Sequence, residues 1–105
     1  MKEKSIHELK QMIDNDEDFQ LIDVREQYEY DSANLNGQLI PLASILKNAD
    51  EISRDKPVII HCKSGARSAS AVNALQQQSG FTNLYNLKGG IMAWKKEFDP
   101  TLDVV

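Results

Sequence analysis

Scarcity marks this chain first. It has one cysteine, one tryptophan, two histidines, three prolines and five glycines in 105 residues. A single cysteine excludes an internal disulfide and fits a reducing compartment. That cysteine and two scattered histidines, His7 and His61, lack the paired ligand spacing of a zinc site, so no metal is expected. Long apolar runs are missing too. QLIPLASIL and PVII fall far short of a membrane span, and the amino-terminal MKEKSIHELKQ lacks the apolar run and small-residue cleavage site of a secretory signal. The expectation is a cytoplasmic protein that meets no membrane. No Gly/Ser/Pro linker, internal repeat or low-complexity tract divides the chain, and its length suits one domain over residues 1–105.

The net charge of −4 conceals an asymmetry. Residues 1–55 carry six Lys/Arg against thirteen Asp/Glu, whereas residues 56–105 carry six against three. A nucleic-acid binder would show a strong basic excess interleaved with aromatics, and neither is present. The basic half, which holds Cys62, suits an anionic small molecule or an acidic protein tail.

Patterning gives an alternation of elements. Ser5 and Glu8 have capping-box spacing ahead of a helix with Ile6, Leu9 and Ile13 along one face. FQLIDV, QLIPL, PVIIHC and NLYNL have the length and composition of strands. Helical patterns lie between and after them: LASILKNADEI, RSASAVNALQQQS ending at Gly80, and GIMAWKKEF ending before Pro100. Such alternation predicts an α/β domain, a parallel sheet of about five short strands with helices on both faces. Sites in such sheets lie beyond the carboxyl ends of the strands.

Cys62 falls at such an end. PVII supplies a strand, CKSGA a turn, and the next helix starts around Arg67. A tight strand-to-helix loop turns successive N–H groups inward and adds the unpaired donors of the helix start, which makes an anion cradle from Cys62 through Lys63, Ser64, Gly65, Ala66, Arg67 and Ser68. Gly65 permits the left-handed backbone that curls the loop, and Lys63 and Arg67 add charge. A lone cysteine is commonly a small buried apolar residue. Packing alone, however, needs no Gly, Lys and Arg within the next five positions. A free thiol has a pKa of about 8.5, and cationic helix-end sites bring it to roughly 3.5–7.5, so Cys62 is expected to be a nucleophile. Of the two cations, Arg67 is the expected main contact for an anionic donor, because its fork can hold two oxygens. His61, one residue back on the strand, is expected to point away from Cys62 and to be structural. Asp23 and Arg25 share a strand face; taken alone they read as a solvated pair, and Arg25 could equally pair with Glu29 on a helix for about 0.3–0.5 kcal/mol. Trp94 reads by composition as core.

Three segments, LIDVRE, HCKSGARS and LKGGIMAW, resemble the rhodanese sulfurtransferases in order and separation, over nearly the whole chain. The resemblance implies that Cys62 accepts a sulfane sulfur as a persulfide and passes it to a thiophilic acceptor, that residues 63–68 form the cradle, and that Asp23, Arg25 and the Trp94 segment brace the loop. No cofactor is implied. Related dual-specificity phosphatases place five residues between Cys and Arg to fit a phosphate; here four intervene, Lys63 to Ala66, a ring suited to one sulfur atom. The mercaptopyruvate branch carries Cys-Gly-Ser/Ala-Gly-x-Thr, so the charged loop here points to thiosulfate or an enzyme persulfide such as a cysteine desulfurase's. A cysteine-dependent phosphatase or arsenate reductase, and a non-catalytic rhodanese-like binding module, are the alternatives. The segment ANLNGQLIPL departs from the common GHIPGA, with Asn34 for His and Gln38 for Ala. It resembles, with GGIMAWKKEFDPTL, the rhodanese domains fused to MoeB-like E1 adenylyltransferases, which implies a ubiquitin-like sulfur carrier and an E1-like adenylyltransferase as partners.

Overall fold

The computed structural model describes residues 1–105. Five short strands, β1 (Glu3–Lys4), β2 (Gln20–Asp23), β3 (Gln38–Leu39), β4 (Val58–His61) and β5 (Leu84–Leu87), form one sheet in the order β1-β5-β4-β2-β3. Every pairing is parallel. β4 occupies the centre, with Ile60 opposite Ile22 on one side and Asn86 on the other. Its four residues are all buried, the outcome for a central parallel strand covered on both faces.

Strand alternation sorts the core. Val58, Ile60 and Cys62 join the larger cluster beside Ala71, Val72 and Leu75 of helix α3, while Ile59 faces Leu9 and Met12 of helix α1 on the opposite side. Helix α1 spans Ile6–Asp14, α2 Gln27–Ser32, α3 Ala66–Ser79 and α4 Gly90–Phe98. Ser68, Ala71, Val72 and Leu75 are the buried stripe of α3, at helical spacing. Two of the four are small or polar, which brings the amino end of α3 close to the sheet beneath Cys62. Each fully buried Ile or Leu adds about 1.5–3 kcal/mol.

The capping box of α1 forms in full, the Ser5 hydroxyl accepting from the Glu8 N–H at 3.0 Å and the Ser5 N–H donating to Glu8 Oε1 at 2.9 Å. Its inner face differs from the expected one. Ile6, Leu9 and Met12 are buried in three-residue steps, and Ile13 is 44% exposed. The helix expected over LASILKNADEI is instead two 3-10 turns, Leu42–Ser44 and Ala49–Glu51. Local side-chain bonds break its ladder: Ser44 Oγ donates to the Pro41 carbonyl and Asn48 Nδ2 to the Ser44 carbonyl, both at 3.1 Å. Ile45 and Ile52 still reach the core.

Candidate active site

β4 delivers the chain to the loop, and α4 fixes the loop's backbone. The first turn of α4 donates from Ile91 N–H to the Cys62 carbonyl (3.0 Å) and from Met92 N–H to the Lys63 carbonyl (3.1 Å). These are helix-start donors that no intrahelical acceptor reaches. The approach is too close for a side chain: a Cβ on Gly90 would sit 2.5 Å from the Lys63 oxygen and 2.6 Å from the Cys62 oxygen. With both carbonyls turned toward α4, the following N–H groups turn toward the sulfur. Gly65, at φ +115°, donates to Cys62 Sγ at 3.1 Å, and Ser68 N–H does so at 3.4 Å.

Cys62 is 1% exposed. Burial would push its thiol up, but hydrogen bonds from the Ser68 hydroxyl and amide and from the Gly65 and Ser64 amides outweigh it and hold the pKa below the ordinary thiol value. Ser68 Oγ lies 3.3 Å from Sγ and is itself held by Asn86. Asn86 also donates from Nδ2 to the Gly65 carbonyl at 3.2 Å, so one buried amide braces both the hydroxyl and the bend. A polar residue within the apolar strand LYNL was the available signal for it.

The two loop cations differ in their partners. Arg67 does not present a free fork: Nη1 and Nη2 donate to Glu29 Oε1 and Oε2 at 2.7 and 2.9 Å. Those bonds hold Glu29 well below the usual carboxylate range, at about 2, and raise Arg67 in turn. Glu29 lies in helix α2, which the sequence offered only as an alternative setting for an Arg25–Glu29 pair, and its Oε1 also accepts from the Glu26 N–H at 3.0 Å. The Glu26-x-x-Glu29 spacing was the sequence signal for that helix start. Lys63, half-buried, has no ion-pair partner. Ser64 and Ala66 form the exposed lip.

Asp23 and Arg25 are not a solvated pair. Both side chains are fully buried and joined by Arg25 Nε to Asp23 Oδ1 (3.0 Å) and Arg25 Nη2 to Asp23 Oδ2 (2.9 Å). Arg25 Nη2 also donates to the Ala33 carbonyl at 2.7 Å, and no Arg25–Glu29 bridge forms. His61 completes this inner cluster, its Nε2 3.6 Å from Asp23 Oδ2 and its Nδ1 3.4 Å from the Cys62 carbonyl. Burial depresses the His61 pKa despite the pull of Asp23, so the ring is neutral near pH 7. The indole of Trp94 packs edge-on against Phe98 at 4.8 Å, in the cluster under α1, while its helix start holds the loop.

Residues 5–97 match the Rhodanese-like domain family, and the chain belongs to it. It is 38% identical to a sulfurtransferase of Allochromatium vinosum, covering 84% of this chain and 82% of that protein. It is 35% identical to the probable adenylyltransferase/sulfurtransferase MoeZ of Mycobacterium tuberculosis, covering 90% of this chain and 25% of that protein. The chain thus spans a quarter of that relative, and half of the putative sulfur carrier protein YrkF of Bacillus subtilis, to which it is 37% identical over 88% of its own length. Among solved structures, a rhodanese-like domain protein from Staphylococcus aureus superposes with a TM-score of 0.81 at 29% identity, over 100% of this chain and 99% of that one.

Proposed function

We propose that this chain is a sulfurtransferase that carries sulfane sulfur as a persulfide on Cys62. One observation carries the reading: a buried thiol with a lowered pKa sits where the Gly65 and Ser68 N–H groups and the Ser68 hydroxyl converge. The Cys62 thiolate attacks the outer sulfur of the donor, the new S–S bond forms as the donor's bond breaks, and the leaving group takes the electron pair. A nucleophilic acceptor then attacks the outer sulfur and restores the thiolate. The converging donors stabilise the negative charge in both forms without reorganising. A phosphatase reading fits less well. Arg67 is engaged by Glu29, and Glu29 at about 2 is ionised and cannot serve as the acid for a leaving group.

Intact-mass measurement after brief exposure to thiosulfate, and separately to an alkyl persulfide, tests this. The expected result is a reducible gain of one sulfur atom on Cys62, absent in Cys62→Ser with an unchanged circular dichroism spectrum. A folded Cys62→Ser that still transfers sulfur would sink it.

For the acceptor, the activated Gly-Gly end of a ubiquitin-like carrier is the favoured candidate, with a cysteine desulfurase as the source of sulfur and an E1-like adenylyltransferase supplying the acyl adenylate. Here the terminal sulfur of the Cys62 persulfide attacks the acyl carbon, AMP leaves with the electron pair, and a dithiol reductant cleaves the resulting acyl disulfide to release the thiocarboxylate and the Cys62 thiol. The likeness to relatives named as an adenylyltransferase/sulfurtransferase and a putative sulfur carrier supports it. Exchange of one carrier oxygen for sulfur, seen by mass, is the expected outcome; transfer to free thiols alone overturns it. A cytoplasmic setting is part of the proposal.

A further inference from the structure

The charges around the sulfur nearly cancel. Cys62 as thiolate and Glu29 are negative, Arg67 and Lys63 positive, and the Arg67 charge is balanced directly by two hydrogen bonds to Glu29. The inner Asp23–Arg25 pair adds no net charge. Of the two cations in the cysteine loop, only Lys63 is left unpaired for a thiosulfate dianion. Tyr28, beside Glu29 on α2, is 68% exposed and offers carbon surface next to the carboxylate that holds Arg67, which suits a donor with a carbon body.

We propose, building on the sulfurtransferase reading, that Glu29 sets the donor class: by holding the Arg67 fork it favours a persulfide carried on a thiol over free thiosulfate. With a persulfide, the Cys62 thiolate attacks the outer sulfur of R–S–S–H; the Cys62 S–S bond forms, the donor's own S–S bond breaks, and R–S⁻ leaves with the electron pair. The proton remains on the transferred sulfur or passes to water. The donor enters neutral and the thiolate's negative charge leaves on R–S⁻, with no external oxidant or reductant. With thiosulfate the leaving group is sulfite, a dianion that Arg67, held by Glu29, is not free to receive. Glu29 acts here through Arg67 and is a positioning residue.

The experiment measures single-turnover loading of Cys62 by 2-hydroxyethyl persulfide and by thiosulfate, each normalised to its reaction with free cysteine. The wild type should favour the persulfide by about tenfold on this scale. Glu29→Gln keeps an oxygen for the Glu26 N–H and removes the charge. It should raise thiosulfate kcat/KM about tenfold, through KM, and move persulfide loading by less than about twofold. The gain should vanish in Glu29→Gln/Arg67→Ala. A merely structural Glu29 would lower both rates together. The proposal is overturned if Glu29→Gln, folded by circular dichroism, gives no thiosulfate gain. It is equally overturned if the normalised wild-type rates favour thiosulfate, a result that stands even where the variant does not fold. If neither donor loads Cys62, the sulfurtransferase reading itself falls.

Discussion

Cys62 stands between two arginine–carboxylate pairs that share their chemistry and little else. Behind it, Arg25 and Asp23 are neighbours at the end of β2, and neither side chain has any exposure. In front of it, Arg67 and Glu29 come from elements 38 residues apart in sequence, with the guanidinium side chain 35% exposed. The inner pair is desolvated and its charges have no access to water, so removing one partner strands the other as a buried, uncompensated charge. In the outer pair only the Arg67 side chain meets solvent while Glu29 is buried, so the pair is less costly to break than the inner one and acts on the field at the mouth. One motif thus fastens the strand ends in one place and sets what may approach the sulfur in the other.

Breaking the inner pair should give the largest effect. Arg25→Ala leaves a buried carboxylate unpaired and should cost about 3–5 kcal/mol in urea unfolding; a loss under 1 kcal/mol would remove the distinction between the pairs. Replacing both partners, Asp23→Leu with Arg25→Met, should recover most of that loss, because the penalty comes from the orphaned charge rather than from the missing bond. A double variant no more stable than the single one would mean that shape, not charge, is what the site requires.

Acid separates the two regions on one axis. His61 is held neutral in the fold and its pKa is depressed by burial, so the unfolded chain takes its proton first and stability falls as pH drops below the ordinary 6.5. Glu29 is depressed from 4.5 to about 2, so its contribution is full above 4.5 and is lost as pH falls from there through about 2. Urea midpoints across this range should show the upper limb vanish in His61→Gln and the lower limb shrink in Glu29→Gln, leaving the part that the lowered Glu8 and Asp55 carry. If either variant removes both limbs, the two clusters titrate as one.

The smallest effect belongs to the outer arginine. Arg67→Ala leaves the buried Glu29 carboxylate without two donors but opens it to water, and should cost about 1–3 kcal/mol, less than Arg25→Ala. It should also harm thiosulfate loading less than Lys63→Ala does, since Lys63 is the cation not already paired. The reverse order would show Arg67 leaving Glu29 to take the donor.

Most of this architecture was legible because central parallel strands announce themselves as apolar runs, and the Gly80 and Pro100 stops bound α3 and α4 where expected. β1 escaped because its two residues, Glu3 and Lys4, form an edge with no pattern to read. The cysteine loop was legible because it is local: the nucleophile, the bend and the helix start lie within seven residues. What braces it was legible only in part. The resemblance placed the segment of Ile91 and Met92 at the loop, but Glu29 and Asn86 reach it only through the crossover topology, and nothing in a charge count predicts that the carboxylate choosing Arg67 sits on a helix after β2. The nearer candidate for Glu29, Arg25, had already been claimed by Asp23, a competition that only burial decides.

The seating of Gly90 against the loop has a consequence for how the protein is made. During synthesis Cys62 emerges well before Gly90, and until α4 docks, the carbonyls of Cys62 and Lys63 have no amide to hold them. The thiol is therefore expected to gain its nucleophilicity only as α4 docks, which the rate of reaction with a disulfide reagent during refolding of the whole chain checks.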